Sequence, residues 1–359
     1  MLRSTQMLAL GHQQFETGDL ELAEKTVREA LGVDPTNAQL LVLAARICLE
    51  QGHLERAYHL FNQAIENDPE LAEAQYYKGL VMQRWQQFDA SLVCHQLAYD
   101  LEADNVWYLL AVSEMLVAMD RIDDSLELLK SKLTYFEQNV GIREAIGRIY
   151  VVKRDFDSAV TYLDQALLLQ PDDLQLREDV AMARMGAGQY AEAAKQLEEL
   201  CEQTKADDRR YLRIALITAY QSSGRVDAAR EVCFELTRRD PSDADAWLRL
   251  AELSWLKEDL TATLTAAGRV CRLSPQRPEG YVLAGLVWQK RGNTKRALEL
   301  FQSAARADKT SAKPAILQGI TLEETGKLAA AAQAYREALR REPNDSRARK
   351  LLASVEARL

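Results

Sequence analysis

Small and large apolar side chains return along this chain at a fixed interval, and the interval predicts its elements. Ala23, Ala57, Ser91, Ser125, Ala159, Ala193, Ala229, Thr263, Ala297 and Ala331 are all small, each 34 residues after the last except for one step of 36. A second column keeps the same beat: Gly11, Ala45, Gly79, Ser113, Gly147, Ala181, Ile217, Ala251, Gly285 and Gly319, small at every place but Ile217. Pro35, Pro69, Pro171, Pro241, Pro275 and Pro343 share it too. The chain therefore divides into ten repeats between residues 4 and 345. Numbered 1 to 34 within a repeat, the Gly11 column is position 8, the Ala23 column position 20 and proline position 32.

Such a repeat reads as a helical hairpin. Ala, Leu, Glu, Gln and Arg dominate it, and all favour helix. Positions 1–14 predict helix A and positions 16–30 helix B. Gly18, Gly52, Gly188, Gly224, Gly292 and Gly326 stand at position 15 and supply a positive-φ turn. Small residues at positions 8 and 20 let the helices approach. Trp247 or Tyr281 at position 4, Tyr150, Tyr220 or Trp288 at position 11, and Phe61, Phe301 or Tyr335 at position 24 pack around them. One hairpin cannot bury its apolar face alone, so the repeats must stack. After Pro343, Asp345 or Ser346 caps one more helix, with Ala348, Leu351, Leu352, Val355 and Leu359 on one face.

This spacing resembles the tetratricopeptide repeat over nearly the whole chain. Repeat 4 departs from it, lacking the turn glycine, the proline and the alanine at position 27, and repeat 7 carries Ile217 where a small residue belongs. The resemblance implies an all-α, right-handed superhelical solenoid of about ten hairpins plus a C-terminal capping helix. It also implies a non-catalytic scaffold or adaptor that binds a peptide or partner protein in a concave groove. Helix A positions 2, 5, 9, 12 and 13 line that groove in the family. Family members that grip acidic chaperone tails place Lys at position 5 and Asn at position 9; this chain has neither, so that clamp is absent.

Charge adds an asymmetry. Residues 1–200 carry 17 Lys and Arg against 33 Asp and Glu, whereas residues 201–359 carry 28 against 21. The sign changes near the two-residue insertion in "CEQTKADDRR". Residues 4–205 are thus expected as an acidic N-terminal sub-array, 206–345 as a mildly basic one and 346–359 as the capping helix; one continuous superhelix with a longer loop is the alternative. The charge asymmetry fits a partner charged oppositely at each end, or head-to-tail self-association. Five scattered cysteines and no export signal fit a cytoplasmic protein, and no apolar run is long enough for membrane insertion.

Catalytic signatures are missing. "GAGQYA" at Gly186, Gly188 and Ala191 mimics a dinucleotide loop, but Gly188 is the turn residue of repeat 6 and no strand precedes it. His12, His53, His59 and His95 do not cluster at metal-ligand spacing, so neither metal nor cofactor is expected. Candidate partner-binding residues follow from the groove positions. Tyr76, Leu80, Trp107 and Leu110 form an apolar patch with Arg84 and Glu114 beside it; Leu248, Arg249, Glu252 and Trp255 form a second; Arg46 and Arg148 supply orienting charge. Two other readings stay open: a regulatory or assembly subunit of a separate secretion, envelope-biogenesis or glycosyltransferase machine, and an RNA binder acting through residues 206–359. Nucleic acid is the weaker, because the basic residues are mixed with acids.

Overall fold

The computed structural model describes residues 2–203 and 209–359; the expected boundary at 205/206 lies outside them. The described residues form 21 α-helices and no strand. They fall into two compact modules, one ending at Ala187 and one starting at Gly188. In the N-terminal module, repeats 1 to 5 are the hairpins α1 (Leu2–Glu16) and α2 (Leu20–Val33), α3 (Ala38–Glu50) and α4 (Leu54–Asn67), α5 (Ala72–Arg84) and α6 (Phe88–Leu101), α7 (Val106–Ala118) and α8 (Ile122–Lys132), α9 (Val140–Val152) and α10 (Phe156–Leu169). Helix α11 (Leu174–Gly186) completes it. The C-terminal module holds α12 (Tyr190–Gln203) and the hairpins α13 (Arg210–Ser222) and α14 (Val226–Arg239), α15 (Ala244–Leu256) and α16 (Leu260–Leu273), α17 (Pro278–Lys290) and α18 (Thr294–Ala307), α19 (Lys313–Glu324) and α20 (Leu328–Arg341). Helix α21 (Ser346–Glu356) packs on α20, with Ala348 and Val355 buried and the Asp345 carboxylate accepting from the Ala348 N–H. The architecture is a helical-repeat solenoid.

The recurring small residues have a specific job. A Cβ built on Gly319 would lie 2.3 Å from the Tyr335 ring, on Gly285 2.5 Å from Phe301, on Gly79 2.6 Å from His95 and on Gly147 2.6 Å from Leu163. Position 8 thus leaves room for the position-24 side chain of the same hairpin, and at these four glycines an added methyl would force that side chain to shift. Repeat 7 reverses the sizes: Ile217 stands at position 8 and Cys233 at position 24, both fully buried. Repeat 4 fills positions 8 and 20 with Ser113 and Ser125, whose hydroxyls hydrogen-bond each other at 2.7 Å. Its helix B is short, ending at Lys132 and followed by turns through Gln138.

The nine hairpins within the modules share one turn. Position 15 has positive φ in every repeat: six glycines, and also Gln86 (60°), Asp120 (59°), Arg154 (59°) and Glu258 (58°). The amide after it reaches back to the carbonyl of position 11, as in Asp19 to Gln14, Gln87 to Met82, Arg121 to Leu116 and Asp259 to Ser254. Asp19, Asp155, Asp259 and Asn293 then cap helix B through their side chains. Because the turn closes helix A and opens helix B at once, it persists even where a Cβ makes it costly.

Successive A helices pack on each other, α1 on α3, α3 on α5, α7 on α9 and α9 on α11 in the first module and α15 on α17 in the second. Among the described residues no successive pair of B helices packs as closely. The A helices therefore form the inner wall of the N-terminal module.

Candidate protein-docking cleft

Between α7 and α9, on the A-helix wall of the N-terminal module, lies a cleft of about 740 Å³. Trp107, Leu110 and Glu114 line it from α7, and Gly141, Glu144 and Arg148 from α9. Helical spacing explains the set, since positions 2, 5 and 9 fall on one face. The Asn105 side chain caps α7 by accepting from the Trp107 amide at 3.1 Å, which places Trp107 in the first turn. There the indole is 73% exposed. Gly141 keeps the opposite wall low: a Cβ there would stand 3.2 Å from the Leu110 methyl.

The walls carry an excess of negative charge. Arg148 is held on both sides, by Glu144 at 2.6 Å and Asp179 at 2.7 Å. Burial raises the Glu144 carboxyl above its ordinary range; Arg148 opposes this, while Asp179 and Asp173 reinforce it. Glu114 accepts a hydrogen bond from the Gln83 amide at 2.9 Å. Among the described residues Arg148 is the only cation lining the cleft.

One tetratricopeptide-repeat model matches residues 14–81, 184–253 and 289–355, and a second matches residues 146–217. The chain belongs to the tetratricopeptide-repeat family. Among curated proteins, cellulose synthase operon protein C of Pseudomonas fluorescens (strain SBW25) is 23% identical over 362 residues, covering 84% of this chain and 28% of that protein. The human mitochondrial import receptor subunit TOM70 is 23% identical over 193 residues, covering 51% of this chain and 31% of that protein. This tetratricopeptide-repeat chain thus spans under a third of either relative. Two solved structures share the fold: the C-terminal part of a repeat protein from Cytophaga hutchinsonii (TM-score 0.54, 13% identity, 67% of this chain and 98% of that one) and pilF of Pseudomonas aeruginosa (TM-score 0.51, 13% identity, 62% and 97%).

The other residues expected in the tetratricopeptide groove are distributed differently. Tyr76 is half-buried in an aromatic cluster, its ring 5.1 Å from Tyr108, 5.2 Å from Tyr77 and 5.4 Å from His95. Burial pushes its phenol pKa up. Leu80 is half-buried on the same helix, and Arg84 donates to the Leu49 carbonyl at 3.2 Å. Arg46 is sandwiched between the Phe15 and Tyr77 rings, 4.8 Å from each, and pairs with Glu73 at 3.0 Å. In the C-terminal module, Leu248 is buried and Trp255 half-buried with the Lys290 ammonium 5.8 Å from its ring. Arg249 lies beside Glu252 on α15 and opposes the burial that raises the Glu252 carboxyl. The structure thus gathers Trp107, Leu110, Glu114 and Arg148 into one cleft, whereas Tyr76, Arg46 and Arg84 are engaged in packing or pairing. Gly141 was not singled out by sequence. Its signal is a bare residue at position 2, where other repeats carry Gln39, Glu73, Trp107, Tyr211 or Glu279.

Chemically the chain offers contact surfaces. Cys48, Cys94 and Cys233 are buried, and burial pushes the Cys233 thiol up to about 12 and Cys271 up to about 11, so both stay protonated near neutrality. Among the described residues no cluster of His, Cys, Asp and Glu is placed to hold a metal ion, and no helix is long and apolar enough to cross a membrane.

Proposed function

We infer that this tetratricopeptide-repeat protein is a non-catalytic scaffold that docks a segment of a partner protein in the cleft between α7 and α9. The exposed Trp107 at the edge of that cleft carries the reading. Burying such a side chain is worth roughly 2–3 kcal/mol, and buried tryptophans are typical anchors of protein interfaces. Five unpaired cysteines agree with a thiol-reducing setting such as the cytoplasm. The test is affinity capture from native extract with the parent chain and with Trp107→Ala. A partner held by the parent and lost from a variant of unchanged helicity supports the cleft; retention of the same proteins by both removes it.

A second reading has its own support. Similarity to cellulose synthase operon protein C runs along 84% of this chain, which favours an assembly arm for an envelope or glycan-synthesising machine. Co-purification with a membrane-bound glycosyltransferase from the native source would support it, and a partner set without such enzymes would discard it.

A further inference from the structure

We propose that the occupant of the α7–α9 cleft is a basic segment of a partner protein, an arginine or lysine flanked by apolar side chains. The inference rests on the cleft being the docking site, and the experiment below separates the two.

Charge decides the occupant. Glu114 and Glu144 line the cleft with one guanidinium, Arg148, which is already engaged by Glu144 and, from α11 behind it, by Asp179. An incoming carboxylate would meet two uncompensated negative charges and no free cation. A wholly apolar segment would take Glu114, Glu144, Asp179 and the single Arg148 guanidinium out of water with a net negative charge left over, which is costly. An incoming cation avoids both costs and relieves the repulsion that Asp179 and Asp173 exert on Glu144. The apolar part of the cleft, Leu110, Val117, Ala145 and Ile149, accepts the flanking side chains.

Two further observations agree. The indole face of Trp107 is open to a guanidinium or ammonium, a favourable arrangement once solvent is displaced. The same module already displays this contact, with Arg46 stacked between Phe15 and Tyr77. The field of the module also steers cations inward, because residues 1–187 carry 16 Lys and Arg against 30 Asp and Glu.

The test pans a random dodecapeptide phage library on the full chain at low salt. Enriched peptides are synthesised with a fluorescein label and titrated by polarisation against the parent, Trp107→Ala and the double variant Glu114→Gln/Glu144→Gln, with circular dichroism as a folding control. The expected peptides combine Arg or Lys with apolar residues, bind less tightly as salt rises, and weaken by about 10-fold or more in each variant. Acidic or uncharged winners, or winners that weaken in Trp107→Ala but not in the double variant, overturn the basic occupant and leave the docking cleft standing. Winners indifferent to Trp107→Ala, or no enrichment at all, overturn the cleft itself and this inference with it.

Discussion

His95 sits at position 24, where other repeats carry Phe61, Phe301 or Tyr335, and it is fully buried with neither ring nitrogen hydrogen-bonded. Burial alone lowers its pKa from the ordinary 6.5 to about 4. The folded protein therefore holds it neutral, while the unfolded chain takes up a proton as pH falls through 6.5. Its stabilising contribution is full above pH 6.5 and is lost on the way down to pH 4, a loss of about 3 kcal/mol. His95→Phe removes both the titration and the unpaired nitrogens. The ring should fit, because Gly79 faces it as Gly285 faces Phe301. At pH 7 the variant should be more stable by about 1–3 kcal/mol, the cost of burying unsatisfied polar atoms. Between pH 7 and pH 4 its advantage should widen by about 3 kcal/mol. Guanidinium denaturation of both proteins at pH 7, 5.5 and 4 measures this, and the carboxylates common to both drop out of the difference. A constant gap across that range, or a variant less stable than the parent, would refute a buried, neutral His95.

The hairpin turns predict gains elsewhere: Gln86→Gly, Asp120→Gly and Glu258→Gly should each stabilise by about 1 kcal/mol, read as a higher melting temperature, since each relieves a left-handed residue carrying a Cβ. The contrast between the two groove aromatics is equally direct. Trp107→Ala should leave thermal melting within about 0.5 kcal/mol of the parent, whereas Tyr76→Ala, which empties part of the α5–α7 aromatic cluster, should cost about 3 kcal/mol. Gly319→Leu should cost more than about 3 kcal/mol and expose the amides of α19 and α20 to hydrogen exchange, because the new side chain collides with Tyr335.

Much of the fold could be read from the chain because its rules act within one repeat. The beat of small residues, the turn and the caps all involve partners fewer than 34 positions apart, and helix periodicity assigns their faces. The four turns without glycine escaped that reading: their left-handed backbone is imposed by the hairpin they close, not by Gln86, Asp120, Arg154 or Glu258 themselves. Ile217, oversized for position 8, is balanced by the small Cys233 at position 24, and both are fully buried.

The site was legible only as a set of inward positions. Whether an inward side chain is free depends on the next repeat, where periodicity says nothing about size or charge. Tyr76 meets Tyr108, Arg148 meets Asp179 and Arg46 meets Glu73, each across a repeat boundary, whereas Trp107 lines a cleft whose other wall includes Gly141, which has no side chain. Sequence by itself determined the hairpins and their stacking, because local geometry and the need to bury one apolar face dictate both. Tertiary structure alone decided which groove residues stay open to a partner, because that depends on how neighbouring repeats share volume and charge.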